Sequence, residues 1–395
     1  MKIFFPTYGG GHVNAIIPIV NALNSANVDF SFEIEILALT HSYIELEKSG
    51  IPYERLSKYK ALYSLTDLVE IENQGEKFSR YHFDKPDYDT IFYYGISIVE
   101  LIHKYGEEKA MILFQGKGRQ VFEPYEFSLR LLQFINPDKV FVTCGQRMEL
   151  TIARAANELG IKVIRLVDLV IENLKVPYKC TLCVVNPLAK KYLSQSNEHI
   201  DDIYITGNPN FSYDYKVSNS EVELKTISLF TQPGDFDIET ILMDFYRIAN
   251  EMVGYKFILR PHPSEKLDRY KKLMVTSPSN FELDYFSNSK DIIARSRCVF
   301  TFFSSVGMEA IMQNKNLFVL NYRNLQYPVD YVKMGCAKLI TDFSSLHDTF
   351  RFIGEGDFET FYRRGFSLIE QPKNCIDLLL KVILEKHELS DNTYK

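Results

Sequence analysis

Residues 2–25, KIFFPTYGGGHVNAIIPIVNALNS, decide the fold. Ile3–Thr7 is a short apolar run that ends in Gly9, Gly10 and Gly11, and the following stretch places Val13, Ile16, Ile17, Val20 and Leu23 at helical spacing. Strand, glycine turn and helix form the first unit of a doubly wound parallel sheet. Residues 30–39 (FSFEIEILAL) then read as a strand, and 41–50 (HSYIELEKSG) as a helix closed by Gly50.

From about 58 to 125 the rhythm breaks. The segment is rich in Tyr, Phe and charge, and stretches such as TIFYYGISIVELIHKYG (90–106) predict a mostly helical elaboration of the first domain. The alternation returns with a helix at 126–135, strands at 139–145 and 162–168 around a helix at 147–160, a strand at 179–187, a helix at 188–195, and a strand at 201–209. After YDYKVSNSEVELK (213–225), which reads as a solvated connector, the pattern starts again. Strands are expected at 226–234, 255–263, 297–305 and 316–322, helices at 237–252, 291–296 and 305–315, and a last helix at 373–389. The expected division is 1–200 as an N-terminal, acceptor-side Rossmann-like domain, 201–372 as a C-terminal nucleotide-sugar-binding one, and 373–395 as a terminal helix and tail. Two such α/β/α halves make the cleft between sheet ends the natural ligand site.

Composition agrees with this and excludes other classes. A chain of 395 residues, 46% hydrophobic and 24% charged, can bury two α/β cores. The net charge of −6 argues against a nucleic-acid partner held by a basic surface. Of the six cysteines, at 144, 180, 183, 298, 336 and 375, only Cys180 and Cys183 form a C-x-x-C, and they sit in a strand-like run without a second ligand pair. Reduced thiols, some buried in strands, are expected. Met1-Lys2 leads straight into the first strand, so no signal peptide is expected, and no run of about 18 apolar residues suggests a membrane span. The expected location is cytoplasmic, or peripheral at the inner face of a membrane.

Four motifs carry chemistry. The glycines Gly10 and Gly11 allow a ligand to approach backbone N–H groups, and the helix they open favours negative charge. His12, at the mouth of that turn, is placed to take a proton from an acceptor hydroxyl. Capping the helix or bonding a backbone carbonyl is the alternative. Arg260-Pro261-His262-Pro263 ends a strand in a loop stiffened by two prolines, with Arg260 and His262 able to donate to phosphate oxygens. In Phe303-Ser304-Ser305-Val306-Gly307-Met308-Glu309 a strand gives way to a helix. Ser304 or Ser305 is a good N-cap, and the same terminus is an anion site. Glu309, about one turn in, could accept both hydroxyls of a ribose or could be a first-turn carboxylate favoured by the dipole. Thr231-Gln232-Pro233-Gly234 and Asn208-Pro209 end strands at the cleft floor and hinge, as plain turn chemistry also would. Asp235-x-Asp237 is assigned to helix capping rather than to a metal.

In this order, these residues resemble the GT-B glycosyltransferase superfamily over nearly the whole chain. GGGHVNAIIPIVNAL is similar to the glycine–histidine opening of UDP-glycosyltransferases and the lipid-linked peptidoglycan transferase, which implies His12 as the acceptor base or as a residue lining the acceptor side. RPHP followed by FFSS resembles the HP and SS motifs of bacterial sialyltransferases and capsule enzymes that use CMP-activated sugars, and of teichoic-acid polymerases with CDP-linked donors. That resemblance implies His262, Ser304 and Ser305 on the donor's phosphate. The acidic motif that supplies the sialyltransferase base has no counterpart in the N-terminal half. TGNP and SSVGMEAIMQNKNLFVLNY resemble the hydrolysing UDP-N-acetylglucosamine 2-epimerases, whose opening motif and N-terminal acids are not recognisable here.

The expectation is a metal-independent glycosyltransferase without a cofactor. It would move a sugar from a UDP- or CMP-linked donor to a saccharide or lipid-linked acceptor, in the synthesis of bacterial surface polysaccharide or glycoconjugate. Catalysis would fall to His12, and nucleotide-sugar binding to Gly10, Gly11, Gln232, Arg260, His262, Ser304, Ser305, Gly307 and Glu309. The alternatives on this fold are a hydrolysing 2-epimerase or a non-catalytic nucleotide-sugar binding protein.

Overall fold

The computed structural model describes residues 1–26, 30–143, 145–196, 200–211, 225–263, 265–355 and 370–385. Cys144, most of the connector at 213–225 and the end of the last expected helix lie outside the described residues.

Two parallel sheets organise the chain. The first contains β1 (Lys2–Thr7), β2 (Glu33–Ala38), β3 (Glu54–Arg55), β4 (Lys139–Val142), β5 (Lys162–Val167), β6 (Cys180–Val184) and β7 (Ile200–Ile205), in the order β3-β2-β1-β4-β5-β6-β7. The second contains β8 (Thr226–Phe230), β9 (Lys256–Arg260), β10 (Phe281–Leu283), β11 (Cys298–Thr301), β12 (Asn316–Leu320) and β13 (Lys338–Ile340), in the order β10-β9-β8-β11-β12-β13. The central strands are buried along nearly their whole length because helices cover both faces. β6 and β8 are buried at every position. Cys180 and Cys183 lie in β6 in the cores on opposite faces of the sheet, and burial pushes both thiols up to about 12.

The helices in chain order are α1 (Gly11–Ser25), α2 (Ser42–Lys48), α3 (Leu65–Ser79), α4 (Tyr88–Tyr105), α5 (Glu107–Lys117), α6 (Tyr125–Ile135), α7 (Arg147–Glu158), α8 (Pro187–Ser196), α9 (Ile238–Glu251), α10 (Leu267–Leu273), α11 (Ser289–Ala294), α12 (Ser305–Met312), α13 (Phe343–Glu355) and α14 (Cys375–Leu384). Residues 58–125 form α3, α4 and α5 with short 3-10 turns on either side. This insertion is welded by aromatic rings. Phe78, Tyr94, Phe114 and Phe122 meet edge-on or stacked, with centroids 4.9 to 6.3 Å apart.

The end of the chain returns to the first half. Leu379, Val382 and Ile383 of α14 join the core formed by Val13, Ile16 and Val20 of α1. The Lys139 ammonium donates to the carbonyls of Ile383 at 2.7 Å and Glu385 at 2.6 Å, so a cation closes the C-terminal end of α14. A further core is continuous between the halves, from Val170 and Val176 to Met308 and Tyr331. Among the described residues no helix is long and apolar enough to cross a membrane.

Candidate functional site

In an open parallel sheet a crevice forms outside the carboxyl ends of the strands, where the strand order reverses. In the second sheet that point lies between β8 and β11. β8 runs out into Thr231-Gln232, β9 beside it into Arg260-Pro261-His262, and β11 into Phe302-Phe303-Ser304. Three motifs far apart in sequence thus end on neighbouring strands.

Their side chains are tied together. The Gln232 amide oxygen accepts the Phe303 N–H at 3.3 Å, linking the two strand ends across the switch point. Glu265 fastens the other flank. Its carboxylate accepts the Thr231 hydroxyl at 2.6 Å, the His262 N–H at 3.0 Å and the Tyr270 hydroxyl at 2.6 Å. The imidazole of His262 stays in contact with solvent, yet its pKa is lowered by desolvation and by the Arg260 cation, with Glu265 acting the other way. One Arg260 terminal nitrogen donates to the Pro261 carbonyl at 3.0 Å, whereas its Nε is buried with no hydrogen-bond partner among the described residues. Burial lowers the pKa of this guanidinium, with Asp284 opposing. A buried N–H donor beside the crevice is suited to an anion.

Ser304 is the N-cap of α12. Its Oγ accepts the Val306 N–H at 3.4 Å, and Ser305 opens the helix. No acidic residue stands in the first turn to neutralise this positive end. The Ser304 carbonyl accepts the hydroxyl of Tyr331 at 2.8 Å, and Tyr331 is fully buried. Gly307 has a packing role at this place: a Cβ there would meet the Tyr331 ring at 2.5 Å. Gly307→Ala is therefore expected to displace Tyr331 and with it Ser304. We expect a loss of about 1–3 kcal/mol in unfolding free energy by urea titration, the range of overpacked cores. A variant as stable as the parent would show that Tyr331 has room to move.

Glu309 lies between α12 and α11. It receives the Ser289 hydroxyl at 3.5 Å, and burial raises its pKa to about 7 despite the nearby Lys290 ammonium. An unfolded carboxyl titrates near 4.5. The proton held by the folded state therefore adds stability that is complete below 4.5 and lost as pH rises through 7. Glu309→Gln is expected to be more stable than the parent at pH 8, by roughly 1–3 kcal/mol, and the difference should vanish near pH 4.5. Melting curves of both proteins from pH 4.5 to 8 check this.

The first half has its own switch point, between β1 and β4. Gly10 is the N-cap of α1 with φ 71°, a conformation that favours glycine. Gly11 and His12 follow in the first turn, which has no acidic residue, and His12 is half-buried. The Gly11 carbonyl accepts Asn210 Nδ2 at 2.7 Å, so the glycine turn touches the loop leaving β7. That loop is held by Asn208, whose amide donates to the Asp168 carbonyl at 3.2 Å, and by Gln371, whose Oε1 accepts the Asn208 N–H at 2.8 Å.

Several residues around these crevices carried no readable signal in the sequence. Tyr8 is buried, shares a hydrogen bond of 3.0 Å with the Tyr93 hydroxyl and accepts the Met148 N–H at 3.2 Å. The Arg147 guanidinium lies 4.3 Å from the centroid of the Tyr8 ring. Glu149 is fully buried and accepts the Thr143 N–H at 2.7 Å. Asp168, at the end of β5, lies close enough to Tyr331 of the second half for its charge to raise the tyrosine's pKa. Each is an ordinary polar residue in a loop or first turn, and only the strand order brings it to the site. Asp237 does sit at the N-cap of α9, but its carboxylate takes the Thr240 hydroxyl at 2.9 Å rather than a backbone N–H, and Asp235 pairs with Arg323.

No family model matches the sequence, and no curated protein matches it. Solved structures do. MnaA of S. aureus, in a complex with UDP, superposes with a TM-score of 0.63 at 14% identity, over 99% of this chain and 100% of that one. The UDP-GlcNAc 2-epimerase of Neisseria meningitidis bound to UDP-GlcNAc gives 0.62 at 14%, over 97% and 100%. The UDP-GlcNAc 2-epimerase of Methanocaldococcus jannaschii, with UDP-GlcNAc and UDP, gives 0.58 at 14%, over 97% and 99%. At this identity the likeness is one of fold. The chain has the GT-B architecture of two Rossmann-like halves.

Proposed function

We propose that the chain is a nucleotide-sugar enzyme that breaks the bond between the anomeric carbon and the phosphate oxygen of its substrate. The observation that carries this reading is the convergence of Gln232, Arg260, His262 and the Ser304–Ser305 end of α12 on the ends of three adjacent strands. As the C–O bond breaks, negative charge grows on the leaving phosphate. Arg260, His262 and the positive end of α12 would stabilise it in place of a metal ion, and preorganised groups of this kind cost no reorganisation. Glu309, once ionised, would accept the ribose hydroxyls.

The fate of the sugar separates two reactions. In the hydrolysing 2-epimerase reading, UDP-N-acetylglucosamine and water give UDP and free N-acetylmannosamine, with inversion at C2. The structural neighbours support this reading more than transfer. It needs a group to remove the C2 proton, and Asp168, directly after β5 and held through its carbonyl by Asn208, is our candidate for that base. The transfer reading keeps one specific support, His12 at a helix start without a first-turn acid. There the acceptor oxygen bonds to the anomeric carbon, the nucleotide leaves, and His12 takes the hydroxyl proton.

Incubation with UDP-N-acetylglucosamine and no acceptor tests the choice by NMR. Free N-acetylmannosamine and UDP are expected for the epimerase, whereas turnover that requires an added saccharide favours transfer. Thermal shift with UDP-, CMP-, GDP- and CDP-linked sugars tests the common premise, because a ligand raises the melting point only of a protein that binds it. No shift with any of them would sink the phosphate site.

A further inference from the structure

A second cavity opens beside the phosphate crevice. Its volume is about 710 Å³, and it is formed by the loop after β5, by α8, and by the long loop between β12 and β13. That volume is within the roughly 300–1,000 Å³ typical of small-molecule sites.

The chemistry of its walls is selective. Asn173, Asn324 and Gln326 line it, and their side-chain amides have no hydrogen-bond partner among the described residues. A planar amide offers a donor and an acceptor side by side, the spacing of neighbouring hydroxyls on a sugar ring. Tyr192 and Tyr327 supply aromatic surface of the kind on which apolar sugar faces rest. The charged groups are Glu172, Asp330 and Lys333, and Lys333 is already paired with Glu172 at 2.6 Å. The remaining negative balance disfavours phosphates and other anions.

The cavity is coupled to the crevice through its own wall. Tyr327 packs against Phe303 with ring centroids 5.0 Å apart, and Phe303 precedes Ser304. Four residues further on, Tyr331 bonds the Ser304 carbonyl. A ligand held by this loop would have one end beside the phosphate donors.

We propose that this cavity is a carbohydrate subsite that takes a short chain of uncharged sugar units. Seating an acceptor there rests on the transfer reading; binding the sugar chain does not.

Saturation-transfer NMR on the full chain tests this, with chitotriose, maltotriose and cellotriose as probes. We expect transfer from at least one of them, and an affinity about tenfold weaker in Asn324→Ala/Gln326→Ala, which removes two exposed amides and leaves the tyrosines in place. The UDP-induced thermal shift should be unchanged in that variant. Absence of transfer from all three probes overturns the proposal, as does a signal that the double variant leaves intact. A sugar signal lost in the variant, in a protein that UDP fails to stabilise, would support the subsite and reject the nucleotide reading.

Discussion

Gly95→Ala is expected to destabilise the protein by about 3 kcal/mol or more, the upper part of the range for overpacked sites. α3 and α4 are antiparallel neighbours that cross at two glycines. A Cβ on Gly75 would come within 2.9 Å of the Ile91 carbonyl carbon, and one on Gly95 within 2.8 Å of the Ile71 carbonyl carbon. In both cases the obstacle is backbone, which cannot rotate away as a side chain can. The methyl must separate the helices, and with them the aromatic rings that weld the insertion. A loss of this size lowers the melting temperature by about 10 °C in a domain of roughly 200 residues. Gly75→Ala should behave alike. Calorimetry of the two variants checks the prediction, and a Tm within 2 °C of the parent would mean that the helices can part without cost.

His262→Ala is expected to lower kcat/KM for the nucleotide sugar by about 100- to 1,000-fold, or roughly 2.7–4 kcal/mol of transition-state stabilisation. Two prolines fix the backbone around this residue, and the Glu265 carboxylate holds its N–H, so the loop should survive removal of the ring. Because the imidazole pKa is lowered from 6.5, the ring is mostly neutral at pH 7 and above. In the proposed site it would then donate to phosphate through a neutral N–H, and its titration should not shape the rate between pH 7 and 8. Steady-state release of UDP from UDP-N-acetylglucosamine checks the first part, and the pH profile of kcat/KM the second. Activity within threefold of the parent, with the fold intact, would remove this loop from the phosphate site.

Much of the architecture could be read from residue order. The strand-turn-helix at 2–25 and its restart at 226–252 became β1–α1 and β8–α9. Apolar runs bounded by glycine and proline describe buried parallel strands well, because both faces of such a strand are covered. Weaker elements escaped notice. β10 and β13 are three residues each, too short to show a period, and α13 was passed over although Asp342 caps it, its carboxylate accepting the Ser345 N–H at 2.7 Å. The candidate site was legible in part. RPHP, TQPG and FFSS stood out because strand exits combine rigid loops with donors. Glu265, Asp168, Tyr8, Arg147 and Tyr331 did not, since nothing in their neighbours distinguishes a carboxylate that fastens a loop from one that is merely hydrated.

The sequence by itself determined two parallel α/β halves, the glycine turn before α1 and the strand ends that carry the candidate polar groups. These are local properties, set by side-chain period and turn chemistry within a dozen residues. The tertiary structure alone decided which strand ends are neighbours, that Gly307 makes room for Tyr331, that α14 returns to α1, and that Glu309 is half-buried beside α11 with its proton retained to about pH 7. Those outcomes depend on strand order and on desolvation by residues distant in the chain, and neither is encoded in the spacing of adjacent residues.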